Sequence, residues 1–358
     1  MEFTKQDMKI TKGVAILFML LLHLFCRKDV QGLYDTFPKI NGVPLVYYIG
    51  LFGDACVPIF CFASGYGLFI SLRNEKGSLL WKNFIRIFKL LINYWIVFGL
   101  FVIVGVLAGK SDILPGSPIN FILNFLVLSN SYNGAWWFVQ TYIILVLITP
   151  YLFKVVNKYN SKLLLFISFL IYLATYVQRI KHVIDLGNHT ALTTIVNAIV
   201  LVGTSQLPFL IGAVFAKEKT YSKLLNLFNR FSQKNLICII GIILLVLIHS
   251  QYESMIISPI TGIAFICLFN LMNKGRRLIK VLDYIGTHST NLWLTHMFFY
   301  MTIFPSIVFA LKYPILIFGW LIILCLISSY LIYFIYKPLL RIIDKKAVYI
   351  KSSEKVLG

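Results

Sequence analysis

The sequence predicts an all-α, polytopic membrane protein of about ten transmembrane helices with both termini cytoplasmic. Three observations predict it. Hydrophobic residues make up 59% and charged residues 13% of the 358, with a mean hydropathy of +0.83, against about 45–50% and about 25% in soluble domains. The apolar runs are continuous and about 20 residues long, enough to carry a helix across about 30 Å of hydrocarbon, whereas barrel strands alternate over about ten. Lys and Arg are distributed unevenly between those runs. Together these features exclude an ordinary soluble enzyme, a disordered chain and a secreted disulfide scaffold.

The expected spans are 9–26, 44–72, 87–108, 136–155, 162–178, 195–216, 236–250, 256–272, 288–310 and 314–336. The first follows Lys5, Lys9 and Lys12 and leads into His-Leu-Phe-Cys-Arg-Lys with no small-x-small cleavage site, so it reads as a retained helix and not a signal peptide. The first, seventh and eighth are short for a full crossing. The apolar stretch 119–130 is shorter still and is expected at the interface or as a re-entrant segment.

Orientation follows from charge. Of the 33 Lys and Arg, only seven (Arg27, Lys28, Lys39, Lys110, Arg179, Lys181 and Lys312) fall outside when the N-terminus is inside. The other 26 face the cytoplasm. Topology therefore accounts for the net charge of +20, and no nucleic-acid partner is required. Residues 1–340 read as a single integral-membrane domain, and 341–358 as a basic cytoplasmic tail at the inner leaflet. The six cysteines lie in or beside apolar runs without zinc or redox spacing, so they read as packing residues and no metal is expected.

Ionisable groups at membrane depth are costly and mark function by default. His23 follows Lys12 by 11 residues, about three helical turns plus about 20°, which puts both on one face about 16 Å apart. One stripe thus carries a cation at the inner end and a titratable imidazole toward the outer end. A neutral imidazole takes a proton from a hydroxyl near pH 7; the plainer alternative is an interfacial His with a snorkelling Lys. Asp54 lies near mid-depth in the second span, either orienting His23 or serving as a structural ion-pair or cap residue beside Pro58. The run Phe62-Ala63-Ser64-Gly65-Tyr66-Gly67 permits close helix approach or a local break lining a cavity. Arg86 and Lys89, near Arg73, Lys76 and Lys82, are inner-surface anchors or a seat for a phosphate-rich donor. His296 lies in the ninth span, some eight residues from its inner end, as a structural or pore-lining His, with His288 nearer the interface. Trp136 and Trp137 head the fourth span as an aromatic belt or as a stacking surface for a sugar. Asn188-His189-Thr190 forms a glycosylation sequon in an outside loop.

Taken in order, these residues resemble the acyltransferase-3 family of integral-membrane O-acyltransferases. Lys12-Gly13-Val14-Ala15-Ile16 through His23 is similar to its first-helix motif of a basic residue, ten others, then His. Val57-Pro58-Ile59-Phe60 through Ser64-Gly65-Tyr66-Gly67 is similar to its Ser-Gly-aromatic signature, and Arg86-Ile87-Phe88-Lys89 to its third-helix basic pair. Ala135-Trp136-Trp137-Phe138-Val139 and Leu292-Trp293-Leu294-Thr295-His296 resemble its Trp-Phe block and its late aliphatic-His segment. Lys stands at positions 12 and 89 where the family usually has Arg, keeping the charge without the bidentate fork.

The resemblance implies transfer of an acetyl or other short acyl group from cytoplasmic acyl-CoA to a hydroxyl of a surface glycan or its lipid-linked precursor, in a bacterial cytoplasmic membrane. Acetyl-CoA is then the donor substrate. Lys12, Arg86 and Lys89, with Arg73 and Lys82, hold its phosphates; His23 is the base, and Ser64 or Tyr66 donates to the oxyanion or lines the path, while Asp54, which matches no family motif, is a candidate to orient His23. Trp136, Trp137 and His296 meet the acceptor. The rival from another class is a transporter or flippase for a lipid-linked glycan or small solute; the sequence lacks the repeated halves that would favour it.

Overall fold

Continuous apolar sequence, broken only where Gly, Pro and polar residues cluster, folds as helix after helix. In the computed structural model, residues 2–73, 79–184, 187 and 190–356 are described, with the side chains of 72, 190, 191 and 345–356 excepted. Lys76 and the Asn188-His189 pair of the sequon lie outside the described residues. Fourteen helices are present among them: α1 (Lys5–Phe25), α2 (Leu45–Leu51), α3 (Cys56–Arg73), α4 (Leu79–Leu107), α5 (Pro118–Phe125), α6 (Trp137–Lys158), α7 (Ser161–Lys181), α8 (Thr190–Glu218), α9 (Thr220–Phe228), α10 (Lys234–Ser250), α11 (Ser258–Leu271), α12 (Arg276–Met297), α13 (Pro305–Phe309) and α14 (Pro314–Val356). The only strands among the described residues are Lys39–Ile40 and Val43–Pro44, an antiparallel pair in the first outer loop.

Seven helical segments are long and apolar enough to cross a membrane, and Lys234–Ser250 and Met255–Leu271 are shorter apolar ones. With α12, which carries more polar residues and is largely buried, they make the ten crossings that the sequence predicts. Boundaries differ in three places. The second span is interrupted by a 3-10 turn at Phe52–Ala55, between α2 and α3. The ninth is shifted: α12 begins at Arg276, a π-turn covers Phe298–Thr302, and α13 completes the outer end. The tenth does not stop near 336, because α14 runs on for 43 residues, about 64 Å of helix.

The core is organised around α1. Thr4 caps it: the Thr4 side chain accepts from the backbone N–H of Asp7, and the Asp7 carboxylate accepts from that of Thr4. α12 packs parallel to α1 in constant register: Lys9 Nζ is 2.8 Å from Asp283 Oδ2, and His23 meets His296 at the far end. Glycines bring the two backbones together. A Cβ on Gly13 would sit 2.2 Å from the Leu282 carbonyl oxygen, and one on Gly286 2.2 Å from that of Lys9. α3 and α8 are antiparallel and equally close, since a Cβ on Gly65 would sit 1.9 Å from the Phe209 carbonyl oxygen and one on Gly212 2.2 Å from that of Phe62. The Ser-Gly-Tyr-Gly run is therefore a continuous helix used for close approach, not a break. α7 and α10 turn apolar residues such as Phe166 (59% exposed) and Leu247 (54%) outward, as lipid-facing helices do.

Candidate active site

Two helices held in parallel register bring two distant histidines together. His23 Nδ1 lies 2.6 Å from His296 Nε2, and the two rings are nearly coplanar, 3° apart. His296 Nδ1 lies 2.8 Å from the Trp293 carbonyl oxygen and 3.2 Å from that of Leu292. Carbonyl oxygens only accept, so His296 Nδ1 carries the proton and its Nε2 offers a lone pair. His23 Nδ1–H donates to that lone pair. The proton-free atom of His23 is then Nε2, which makes no hydrogen bond among the described residues. A backbone carbonyl, one histidine and a second histidine thus form a relay of fixed tautomers that leaves one basic nitrogen free.

This corrects three expectations. His296 sits in the last turn of α12, at the outer end beside His23, and not near an inner end; the helix starts twelve residues earlier than predicted. Asp54 does not orient His23. It lies in the Phe52–Ala55 turn, 9% exposed, and faces a separate outer cleft. His288 is buried and bonded to Ser329 Oγ at 2.8 Å, not interfacial.

Inside the bundle a cavity of about 440 Å³ opens among α1, α3, α4, α6, α12 and α14. Lys5, Lys9, Lys12, Arg86 and Lys89 line it, and no Asp or Glu does. Lys9 pairs with Asp283 and Lys89 with Asp344 just beyond the wall. Among the described residues, Lys12 has no acid within ion-pair distance, and Arg86 bonds only the Asn83 side-chain oxygen, at 3.3 Å. Two cations thus face one cavity without compensating charge, an arrangement that favours an anionic occupant. Deeper in, Met19 and Trp293 line the cavity. Met19 precedes His23 by four residues and Trp293 precedes His296 by three, so the cavity ends within one helical turn of the histidine pair.

The remaining sequence candidates divide. Ser64 lines the cavity. Tyr66 does not: its ring packs edge-on against Phe3, and its hydroxyl donates to Glu2 Oε2 at 3.0 Å, so it anchors the N-terminal segment. Arg73, exposed at the end of α3, and Lys82 are not on the cavity wall. Trp136 is buried, its indole N–H donating to the Leu294 carbonyl at 3.0 Å, which clasps the Gly134–Trp136 turn onto α12. Trp137 lines the outer cleft.

Sequence reading missed Asn93, Asn291, Tyr142, Tyr333 and Tyr336, all on the cavity wall. Asn93 Nδ2 donates to Asn291 Oδ1 at 2.7 Å, and Asn291 Nδ2 to Ser329 Oγ at 2.8 Å, tying α4, α12 and α14 into one wall. Asn93 Oδ1 is buried and has no partner. The available signal was an amide inside an apolar span.

A many-helix membrane body with a basic cavity that ends near a histidine pair is a layout compatible with a membrane transferase. A family model described as an acyltransferase domain matches residues 6–334. The chain belongs to the acyltransferase-3 family and is a membrane acyltransferase. Comparison with curated proteins and with solved structures returns no match. Family membership favours group transfer over the transporter reading.

Proposed function

We propose that this protein, in a bacterial cytoplasmic membrane, transfers an acetyl or other short acyl group from cytoplasmic acyl-CoA to a hydroxyl of a surface glycan or its lipid-linked precursor. The observation that carries the reading is the acid-free basic cavity ending one turn short of the His23–His296 pair. Lys12, Arg86 and Lys89 hold the CoA phosphates at the inner end. The pantetheine arm runs inward past Ser64, and Asn93 Oδ1 accepts one of its amide N–H groups. His23 Nε2 takes the proton from the acceptor hydroxyl as that oxygen attacks the thioester carbon. The carbon–oxygen bond forms, the carbon–sulfur bond breaks, and the proton passes from His23 to the departing thiolate. His296 holds the tautomer and spreads the imidazolium charge.

Proton NMR of surface polysaccharide from a native strain, a deletion strain and a His23→Ala strain tests this. O-acyl signals are expected only in the native strain. Unchanged acylation in the presence of well-expressed His23→Ala protein refutes the scheme, and loss of the glycan itself from the deletion strain points to transport.

A further inference from the structure

A second recess lies on the outer side, where α3, α6, α7, α8 and α11 meet. It has a small inner part of about 30 Å³ and a wider part of about 330 Å³, and Trp137 and Arg179 line both. The wider part is at the lower end of the size range of small-ligand sites. Its position follows from the chain direction: Trp137 is the first residue of α6, Arg179 is in the last turn of α7, and Asp54 precedes α3.

Most polar groups in the inner part are already used. The Tyr172 hydroxyl donates to the Ile256 carbonyl at 2.9 Å, Tyr176 bonds Ser254 at 2.7 Å, and Ser258 donates to the Met255 carbonyl at 2.7 Å. Asp54 and Arg179 are not. Asp54 is 9% exposed and has no hydrogen bond or ion pair among the described residues. Arg179 stacks over the Trp137 indole at 5.2 Å from its centroid, and its N–H edges have no bonded acceptor among the described residues. The two charges line the same recess yet stand farther apart than an ion pair. A largely buried carboxylate and a half-buried guanidinium, neither bonded among the described residues, favour a ligand or water that supplies both kinds of group. Gln140, also without a hydrogen bond, adds an amide on the rim.

The opposed charges narrow the ligand. An anion meets Asp54 and a cation meets Arg179, whereas a hydroxyl donates to one and accepts from the other. The indole of Trp137 presents an apolar face to ring C–H groups. We propose that the recess bounded by Asp54, Trp137, Gln140 and Arg179 binds the acyl acceptor as a neutral, hydroxyl-rich ring, a sugar residue approaching from the outer side of the membrane. The inference rests on the transferase reading above and adds a site and a side to it. The Gly134–Trp136 turn joins this recess to the histidine pair, because Asn133 Nδ2 and Trp136 Nε1 both donate to the Leu294 carbonyl, at 2.9 and 3.0 Å, and Trp293 Nε1 donates to that of Ala135 at 3.0 Å.

The test uses the full chain in lipid nanodiscs. Fluorescence of the protein minus that of Trp137→Phe is followed during titration with methyl glycosides of glucose, galactose and N-acetylglucosamine, with N-acetylneuraminate as an anion and phosphoethanolamine as a zwitterion. At least one neutral glycoside is expected to bind, roughly tenfold more weakly in Asp54→Asn and Arg179→Gln and unchanged in Tyr66→Phe. Gln140→Ala, a milder change, is expected to weaken it less. Coenzyme A binding, measured on the same samples, is expected to persist in the cleft variants and reports that they are folded. No glycoside response, or a stronger response to the anion or zwitterion, overturns the proposal. Glycoside binding without coenzyme A binding leaves the cleft standing and removes the acyl-CoA reading; the reverse result does the opposite.

Discussion

The chemistry of the candidate site depends on one hydrogen between two rings. His296→Ala leaves His23 Nδ1–H without its acceptor and frees the imidazole to adopt either tautomer. Acyl transfer is expected to fall by about 10²–10⁴, the range of a positioned acid–base group, while coenzyme A affinity is unchanged. His296→Gln, which restores an acceptor oxygen, is expected to recover part of the rate; full activity in His296→Ala removes the relay. Lys12 allows the opposite kind of test. It faces Arg86 across the cavity with no acid beside it, so an empty cavity holds two repelling cations. Lys12→Met is expected to raise the thermal midpoint of the ligand-free protein and to abolish the stabilisation that coenzyme A gives. A lower midpoint in the variant contradicts uncompensated charge at Lys12. His23 and Lys12 were legible in the sequence because helical periodicity puts residues 11 apart on one face. The partnership with His296, 273 residues away, was not, since no local pattern encodes which helix lies alongside which. Asp54 was misassigned for the same reason: depth in a span is readable, and azimuth toward a neighbour is not.

At the scale of elements, glycines set how closely helices approach. Gly65 and Gly67 lie on the same helix two residues apart, yet only Gly65 faces a backbone. Gly65→Ala is expected to cost about 1–3 kcal/mol by forcing α3 from α8. Gly67→Ala, with nothing within 4 Å, is expected to be neutral or to stabilise by about 0.5–1 kcal/mol through helix propensity. Thermal denaturation of both variants in one detergent checks the contrast, and equal effects would show that packing at Gly65 does not limit stability. The helices were legible through hydropathy. It hid the shift of the ninth crossing, because α12 carries Arg276, Arg277, Lys280 and Asp283 in its first turns and so lacks an apolar signal there. Those charges are accommodated at the inner face, where Lys9 meets Asp283.

For the whole molecule, α1 and α12 are held together by backbone contact, while α4 and α14 are joined to α12 by side chains, Asn93–Asn291 and Asn291–Ser329. Close backbone contact at Gly13 and Gly286 leaves the first pair no room to slide. The second pair is joined by side chains: Tyr336 donates to the Lys89 carbonyl at 3.0 Å, and Lys89 reaches Asp344 at 2.5 Å. The Lys89–Asp344 pair is exposed and contributes about 0–1 kcal/mol, so it breaks readily, whereas the Tyr336 bond is part-buried. Spin labels across the first pair are expected to keep their separation when coenzyme A is added, and labels on α4 and α14 to change theirs; equal movement of both pairs argues for a rigid body or a different hinge. The long reach of α14 then acquires a mechanical meaning. A helix of 43 residues is about twice the length that hydrocarbon requires, so a slight tilt at its membrane-embedded half becomes a wide swing at its cytoplasmic tip. The molecule is built like a gatepost with a long lever, and whether its basic cavity is filled would be legible in where the tip of that lever stands.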